Sequence, residues 1–400
     1  MHRRHFLQLG AGVAGAAMVP GCAHLSTRAA AADPGPAVPV DAAYRPHVAS
    51  SWIPRGSLDE AAFRAAVEAA TDFSWLSRGD RVLIKVALNT GNPFPATTDP
   101  WALQALVKLL KEKGAGTVYA GDQSGMGSVY VGPNHRHGSS RTCADRTGLL
   151  AAITETGAEP VFFDEHGYDD FLAVLPTGDH HWPEPALIPS FVEQVDHIVY
   201  LARTSAHLLA DATLGLKLSV GWLRNDSRFV FHKGGAHFCS MYAQVNELAP
   251  IASRLRLVVT SGREVLSTIG PDIGAIARPH QGLVLASEDM LAHELLSYAW
   301  LRHARDHDTS QTAYSIDATA ADNRSGINRL LMRFVGPARD RAGLVADIPP
   351  FRPGRLVDHP AIRDRARRRG GAPAAVQWES TNSHPDPTVT SALGAAIGSV

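Results

Sequence analysis

Short apolar runs alternate with helical stretches along most of this chain, and that alternation confines it to folds in which helices flank a largely parallel sheet. The clearest unit begins with Arg81-Val82-Leu83-Ile84-Lys85-Val86, inside a strand predicted over 80–88. A loop holding Asn89, Gly91, Asn92, Pro93 and Pro95 follows, and Asp99-Pro100 then opens a helix that stops at Gly114. Proline suits a first helical turn, where its missing N–H would have no partner. Glycine suits the stop because it adopts left-handed backbone without strain. The next strand, over 117–120, completes a crossover of the length a parallel pair requires, with a right-handed connection expected.

The same rhythm recurs. A helix capped by Ser57 runs to Asp72, and another is predicted over 145–156. Strands follow over 161–163 and 197–201, then an amphipathic segment over 211–222 and a helix over 236–251. Strands over 255–260 and 283–286 precede a helix over 288–303. The fold class is α/β: a largely parallel sheet with helices on both faces, and room for two lobes around a central cleft. Residues 51–370 form this domain, its folded part starting near Trp52. Residues 33–50, dominated by alanine and proline, read as an extended tether, and 371–400 as a poorly ordered tail. The basic run 363–369 reads as a solvated helix face.

Charge narrows the partners. The 400 residues carry 38 basic and 39 acidic side chains, a net charge of −1, which gives no field able to hold nucleic acid or an anionic membrane surface. A small molecule is the expected ligand. Three cysteines cannot supply the four thiolates of an ordinary iron–sulfur cluster, nor a disulfide framework. Cys143 and Cys239 are the one pair that could join in a processed chain.

The N-terminus reads His2-Arg3-Arg4-His5-Phe6-Leu7-Gln8, followed by a weakly apolar stretch over 9–19 rich in glycine and alanine. Residues 1–32 resemble a twin-arginine export signal, and an apolar run this short cannot span ~30 Å of hydrocarbon as a stable helix. The export machinery is therefore an expected partner. Val19-Pro20-Gly21-Cys22 resembles a bacterial lipobox, which would place a lipid on Cys22. Cleavage after Ala30-Ala31-Ala32 is the alternative and would release a soluble protein. Either way the chain is expected in the periplasm or on the cell envelope, touching membrane only through its signal or a lipid.

Ligands of open α/β sheets bind beyond the carboxyl ends of the strands. Four segments are expected there: Lys85 with Asn89 and Thr97-Thr98; Gly121-Asp122-Gln123-Ser124-Gly125; residues 207–217 with His232-Lys233; and Ser287-Glu288-Asp289. The chain has six lysines against 32 arginines, and the three outside the 100–114 helix, Lys85, Lys217 and Lys233, all fall in these segments. A buried lysine can give up its proton and act as a base, whereas arginine cannot. Lys217, among Leu214, Leu216, Leu218 and Val220, sits where burial would depress its pKa.

His207 or neutral Lys217 is thus the expected proton-transfer group. Lys85, Asn89, Asp122, Ser124, Arg224 and Arg228 are expected to hold a small anionic substrate. The one cofactor considered is a divalent metal, held by His135, His232 and Asp289 through imidazole and carboxylate. No phosphate-binding glycine loop is present, and 121–125 has one residue too many before its serine for a nucleophile elbow.

An ordered set of these segments resembles the DUF362 family: Val82-Leu83-Ile84-Lys85 with Asn89, Pro95 and Thr98; Gly121-Asp122 with Ser124-Gly125; Thr204 and His207 with Thr213-Leu214-Gly215-Leu216-Lys217; Gly270-Pro271; and Ala286-Ser287 with Asp289. The resemblance spans roughly 53–303. Where this chain has Ala202-Arg203, the family has Pro-Lys. Several members carry a ferredoxin-like cysteine module, which this chain lacks. A more distant similarity is to nickel-dependent lactate racemases, where a histidine precedes a cofactor-holding lysine by ten residues and a nickel-ligating histidine follows. His207, Lys217 and His232 match that plan, and Asn134-His135-Arg136-His137 matches a further catalytic histidine. The function implied is that of an enzyme or a cofactor-binding protein. The alternative is a non-catalytic solute-binding protein, in which the same cations only grip a ligand. Substituting Lys217 or His207 by alanine would abolish turnover in the first and only weaken binding in the second.

Overall fold

Side chains alternate between two apolar layers along each central strand, and this decides where everything else must lie. Val82, Ile84 and Val86 join one core while Leu83 joins the other, and Val199 and Leu201 separate from Ile198 and Tyr200 in the same way. A sheet buried on both faces needs helices on both. The computed structural model describes residues 37–207, 209–268, 270–272, 274–307, 355–382 and 386–398.

The main strands are β1 (His47–Pro54), β2 (Val82–Val86), β3 (Val118–Asp122), β4 (Glu159–Phe162), β5 (His197–His207), β6 (Leu255–Leu266), β7 (Gln281–Ser287) and β8 (Gln377–Ser380). They lie in the order β8-β1-β7-β6-β5-β2-β3-β4. All run parallel except β7, which is antiparallel to both β6 and β1. Short strands Asp211–Thr213 and Ile276–Ala277 fold back on the ends of β5 and β6.

Helices α1 (Glu60–Ala70), α2 (Pro100–Glu112), α3 (Ser140–Arg146) and α4 (Leu149–Glu155) cover one face. The other face is covered by α5 (Asn225–His232), α6 (Phe238–Val245), α7 (Ala249–Ala252), α8 (Met290–His307), α9 (Pro360–Arg369) and α10 (Pro387–Gly398). Asp99 caps α2 with Pro100 in its first turn, as its sequence predicts. For α1 the cap is Asp59 rather than Ser57, its carboxylate accepting from the Ala62 N–H at 3.0 Å. The helix expected over 145–156 is broken at Gly148 into α3 and α4, and that expected over 236–251 is broken into α6 and α7.

Both expected loose ends are part of the fold. Val40–Asp41 pairs with Ala372–Pro373, and β1 starts at His47, so 37–50 is not a tether. Within the supposed tail, β8 pairs along β1, and the Asn382 amide closes on Trp52 by accepting from its N–H at 2.8 Å and donating to its carbonyl at 2.9 Å. The basic run of α9 is not simply solvated: Arg365 and Arg368 both bond Glu247, and the Arg369 guanidinium lies 3.3 Å over the Tyr44 ring. Cys143 and Cys239 lie in opposite cores and do not form the disulfide that composition allowed. The expected export signal and Cys22 lie outside the described residues.

Candidate functional site

After β2 the chain builds β3 and β4 to one side, then returns to place β5 on the other side of β2. This reversal opens a crevice at the carboxyl ends of β2 and β5, the place where open parallel sheets take ligands. The ends of β2, β3 and β5 bring Lys85, Asp122 and His207 to this edge.

Lys85 is fully buried and points into the layer covered by the 3-10 helix Leu216–Trp222. Its ammonium donates to Asp122 Oδ1 at 2.7 Å and to the Leu218 carbonyl at 3.3 Å, 5.7 Å from the Trp222 ring. Burial pulls its pKa down and the Asp122 charge opposes this. Asp122 also accepts from the Leu88 N–H at 2.8 Å and the Gln123 N–H at 2.7 Å. Only glycine fits at 221, because a Cβ there would run into Asp122 Oδ1 and Lys85 Nζ. The pair is sealed, and Lys85 and Asp122 pin the covering helix to the sheet rather than reaching for a substrate.

The other expected anion-holding groups are likewise committed. Arg228 donates to the carbonyls of Leu223 at 2.8 Å, Gln123 at 2.9 Å and Gly221 at 3.3 Å, and to that of Ser124. Arg224, which precedes α5, pairs with Asp226 at 2.8 Å and lies 3.7 Å from the Tyr168 ring. The Asn89 amide donates to the Asp272 carboxylate. Of the expected anion-holding groups, Ser124 keeps a buried hydroxyl without a partner. Arg224 and Arg228 lock loops to one another.

Lys217, His207 and His232 do share one electrical neighbourhood: Lys217 acts on both imidazoles, and His232 acts on His207. Burial drags the Lys217 amine down to about 7, with the Arg203 charge adding to the effect. His207 is nearly enclosed, and burial pushes its pKa well below the ordinary value. Its Nδ1 accepts from the N–H groups of Leu209 at 3.1 Å and Ala210 at 3.2 Å, so the neutral ring carries its proton on Nε2. His232 is the reverse. Its Nδ1 lies 2.7 Å from the Arg228 carbonyl, which can only accept, leaving Nε2 with a free lone pair. His232 is open to solvent, yet desolvation is the largest cause holding its imidazole at about 4.

Three supports of this group escape sequence reasoning. Arg203, buried in β5, donates to the carbonyls of Pro95 at 3.0 Å and Pro271 at 2.9 Å. Gly270, at φ +56°, lets its loop pass so near β5 that a Cβ would meet the Ala206 carbonyl, and so brings Pro271 and Asp272 to Arg203. Glu294 on α8 accepts from the Leu216 N–H at 2.9 Å, next to Lys217, and burial holds its carboxyl up at about 8. A charged residue inside the apolar run 198–202 with Ala206 is the one signal that would have singled out Arg203.

The expected metal ligands do not assemble. His135 is exposed beside a hairpin made by Tyr130–Val131 and Arg136–His137. Asp289 follows the antiparallel β7, so it lies at the opposite end of the sheet, where it accepts from the Tyr44 hydroxyl at 2.6 Å and caps α8 through the Ala292 N–H. His293 is buried against Thr260 at 3.0 Å. Among the described residues no three His, Cys, Asp or Glu side chains come together in a way that would hold a metal. The expected donor set does not fit one.

Comparison places these observations among known proteins. No curated protein matches the sequence. Among solved structures, the lactate racemase apoprotein from Thermoanaerobacterium thermosaccharolyticum is 12% identical, with a TM-score of 0.37 over 62% of this chain and 58% of its own. A structural-genomics protein from Thermotoga maritima is 12% identical, with a TM-score of 0.35 over 53% of this chain and 52% of its own. This chain thus spans little more than half of either. The family model described as a domain of unknown function, DUF362, matches residues 82–298, which include β2, the Lys85–Asp122 pair, His207, Lys217 and His232, and the chain belongs to that family.

Proposed function

We propose that this protein carries out acid–base chemistry on a small anionic molecule, with Lys217 as the group that takes and returns a proton. One observation carries the reading: an amine brought near neutrality stands with two imidazoles fixed in opposite tautomers, His207 offering an N–H and His232 a lone pair. A donor, an acceptor and a group poised near the ambient pH are what proton abstraction and return require. Neutral Lys217 removes a proton, His207 donates to the oxygen on which charge develops, and His232 accepts. The cationic surroundings favour a substrate that brings a negative charge. Export by the twin-arginine route, with a lipid on Cys22 or cleavage after Ala32, belongs to the same proposal and is supported by the N-terminal sequence.

Competitive acylation of the full chain with acetic anhydride across pH, read by peptide mass spectrometry, measures the Lys217 pKa directly. The expected value lies near 7. A Lys217 titrating with the surface lysines above about 10 would remove the proposal.

A further inference from the structure

The segment that carries Lys217 is a 3-10 helix of seven residues, Leu216–Trp222. Such helices have poorly aligned hydrogen bonds and rarely run beyond about four residues, so one this long needs support from its surroundings. The support falls on the residue next to Lys217. The N–H of Leu216 donates to Glu294 Oε2 on α8 at 2.9 Å. Its carbonyl accepts from the Asn246 amide, at the end of α6, at 2.9 Å. The same carbonyl lies 2.8 Å from the Ser219 hydroxyl, which is equally close to the Tyr242 carbonyl of α6. Gly215 lets α8 come this near, since a Cβ there would lie 3.3 Å from Glu294 Oε2 and 3.2 Å from His293 Nδ1. With its side chain fully buried as well, Leu216 is fixed at three points by α6, α8 and the core. Glu294 and Asn246 are themselves buried, and among the described residues no lysine or arginine pairs with Glu294. An unpaired buried carboxyl is a costly means of holding a turn, which points to a purpose beyond cohesion.

From this we infer that Glu294 and Asn246 are positioning residues for Lys217: by gripping the peptide groups of Leu216 they keep the amine 5.9 Å from the Tyr242 ring instead of letting it swing into water. The inference rests on the proposed proton-transfer reading, which needs that amine neutral. Where it stands, Lys217 feels the charges of Arg203 and Arg228, with Cys239 and Asp272 acting in the opposite sense. Glu294 leaves this balance alone at neutral pH, because burial holds its carboxyl up at about 8 and it keeps its proton. A permanent carboxylate beside residue 216 would instead draw the amine back to the ammonium form. A grip without charge is what the position requires. Lysine has a long stem and this one is already partly exposed, so a loosened segment would let its head reach solvent and recover an ordinary pKa of about 10.4.

The test is competitive acylation of the full chain with acetic anhydride across pH, with exposed Lys233 as the internal reference. Wild type is compared with Glu294→Ala, Glu294→Gln and Asn246→Ala, and each variant is melted to check its fold. Glutamine keeps an oxygen for the Leu216 N–H and has no proton to lose, so Glu294→Gln is expected to leave Lys217 near 7. Each alanine variant is expected to raise the Lys217 pKa by at least about one unit, which cuts the neutral amine at pH 6 about tenfold. A role in stability alone would lower the melting temperature and leave Lys217 where it is. The positioning role is refuted if Lys217 stays near 7 in a folded alanine variant, or if a Glu294→Gln protein that melts like wild type titrates as the alanine variants do. Asn246→Ala and Glu294→Gln decide the matter where Glu294→Ala does not fold. The two proposals fail in different ways. Lys217 titrating with the surface lysines in wild type ends the proton-transfer reading and this inference with it, whereas Lys217 near 7 in wild type and folded alanine variants alike ends only the positioning role.

Discussion

At position 221 a hydrogen atom stands where every other residue would place carbon against a buried ion pair. Replacing Gly221 by alanine must either push Lys85 from Asp122 or lift the Leu216–Trp222 segment off the sheet. Overpacking of this kind costs roughly 1–3 kcal/mol, and parting the buried pair adds to it. Urea unfolding of Gly221→Ala at neutral pH is expected to show a loss of at least ~2 kcal/mol, and a variant as stable as wild type would contradict the packing described here. The sequence made part of this legible. A lysine within Val82-Leu83-Ile84-Lys85-Val86 had to have a partner, because an ammonium without one is not tolerated in such surroundings. It did not reveal that the partner would be Asp122 and that both would be sealed away. Arg224 and Arg228 were illegible for a related reason: whether an arginine has free N–H groups depends on which carbonyls the loops deliver to it. Arg228 meets four of them.

Among the elements, α8 and the Leu216–Trp222 segment are tied by Glu294, whose oxygen accepts the Leu216 N–H. This tie has a pH signature. The carboxyl titrates at about 8 in the fold against 4.5 when unfolded, so the folded chain keeps its proton longer. The stability it contributes is complete below about 4.5, declines as pH rises, and is gone above about 8. Glu294→Gln has no proton to lose, so it should gain on wild type with rising pH through this window, by up to ~1.4 kcal/mol per unit. Urea midpoints of the two proteins across that range check this, and parallel curves would refute it. The burial of His293 at about 3 and His232 at about 4 acts in the opposite sense, removing stability as the medium turns acidic. Element types were readable wherever period and caps agreed, as at β2, α2 and β3. They failed at Gly148, whose left-handed backbone ends one helix before the next begins, and around 246–248, where the chain breaks ahead of a short helix with proline in its first turn. They failed most at β7. Its strand character was plain, but its direction was not, and so Asp289 was assigned to the wrong end of the sheet.

For the whole molecule, the export signal proposed for residues 1–32 and the folded body make separable predictions. Replacing Arg3 and Arg4 together by lysine should leave the protein inside the cell, with fractionation and immunoblotting as the readout. Cys22→Ser should shift it from the membrane to the soluble envelope fraction if the lipid is attached, and cleavage after Ala32 would leave that fraction unchanged. Among the described residues no helix is long and apolar enough to cross a membrane.

The pairing of β8 along β1, clamped by Asn382 on Trp52, sets a schedule on biogenesis. The second strand of this outer pair is made more than 300 residues after the first, so until residue 382 has left the ribosome β1 presents an open flank to its surroundings. Nascent chains are therefore vulnerable to self-association through that flank until synthesis is almost finished. The last strand to be made is thus the one that closes the sheet, and folding finishes only when synthesis does.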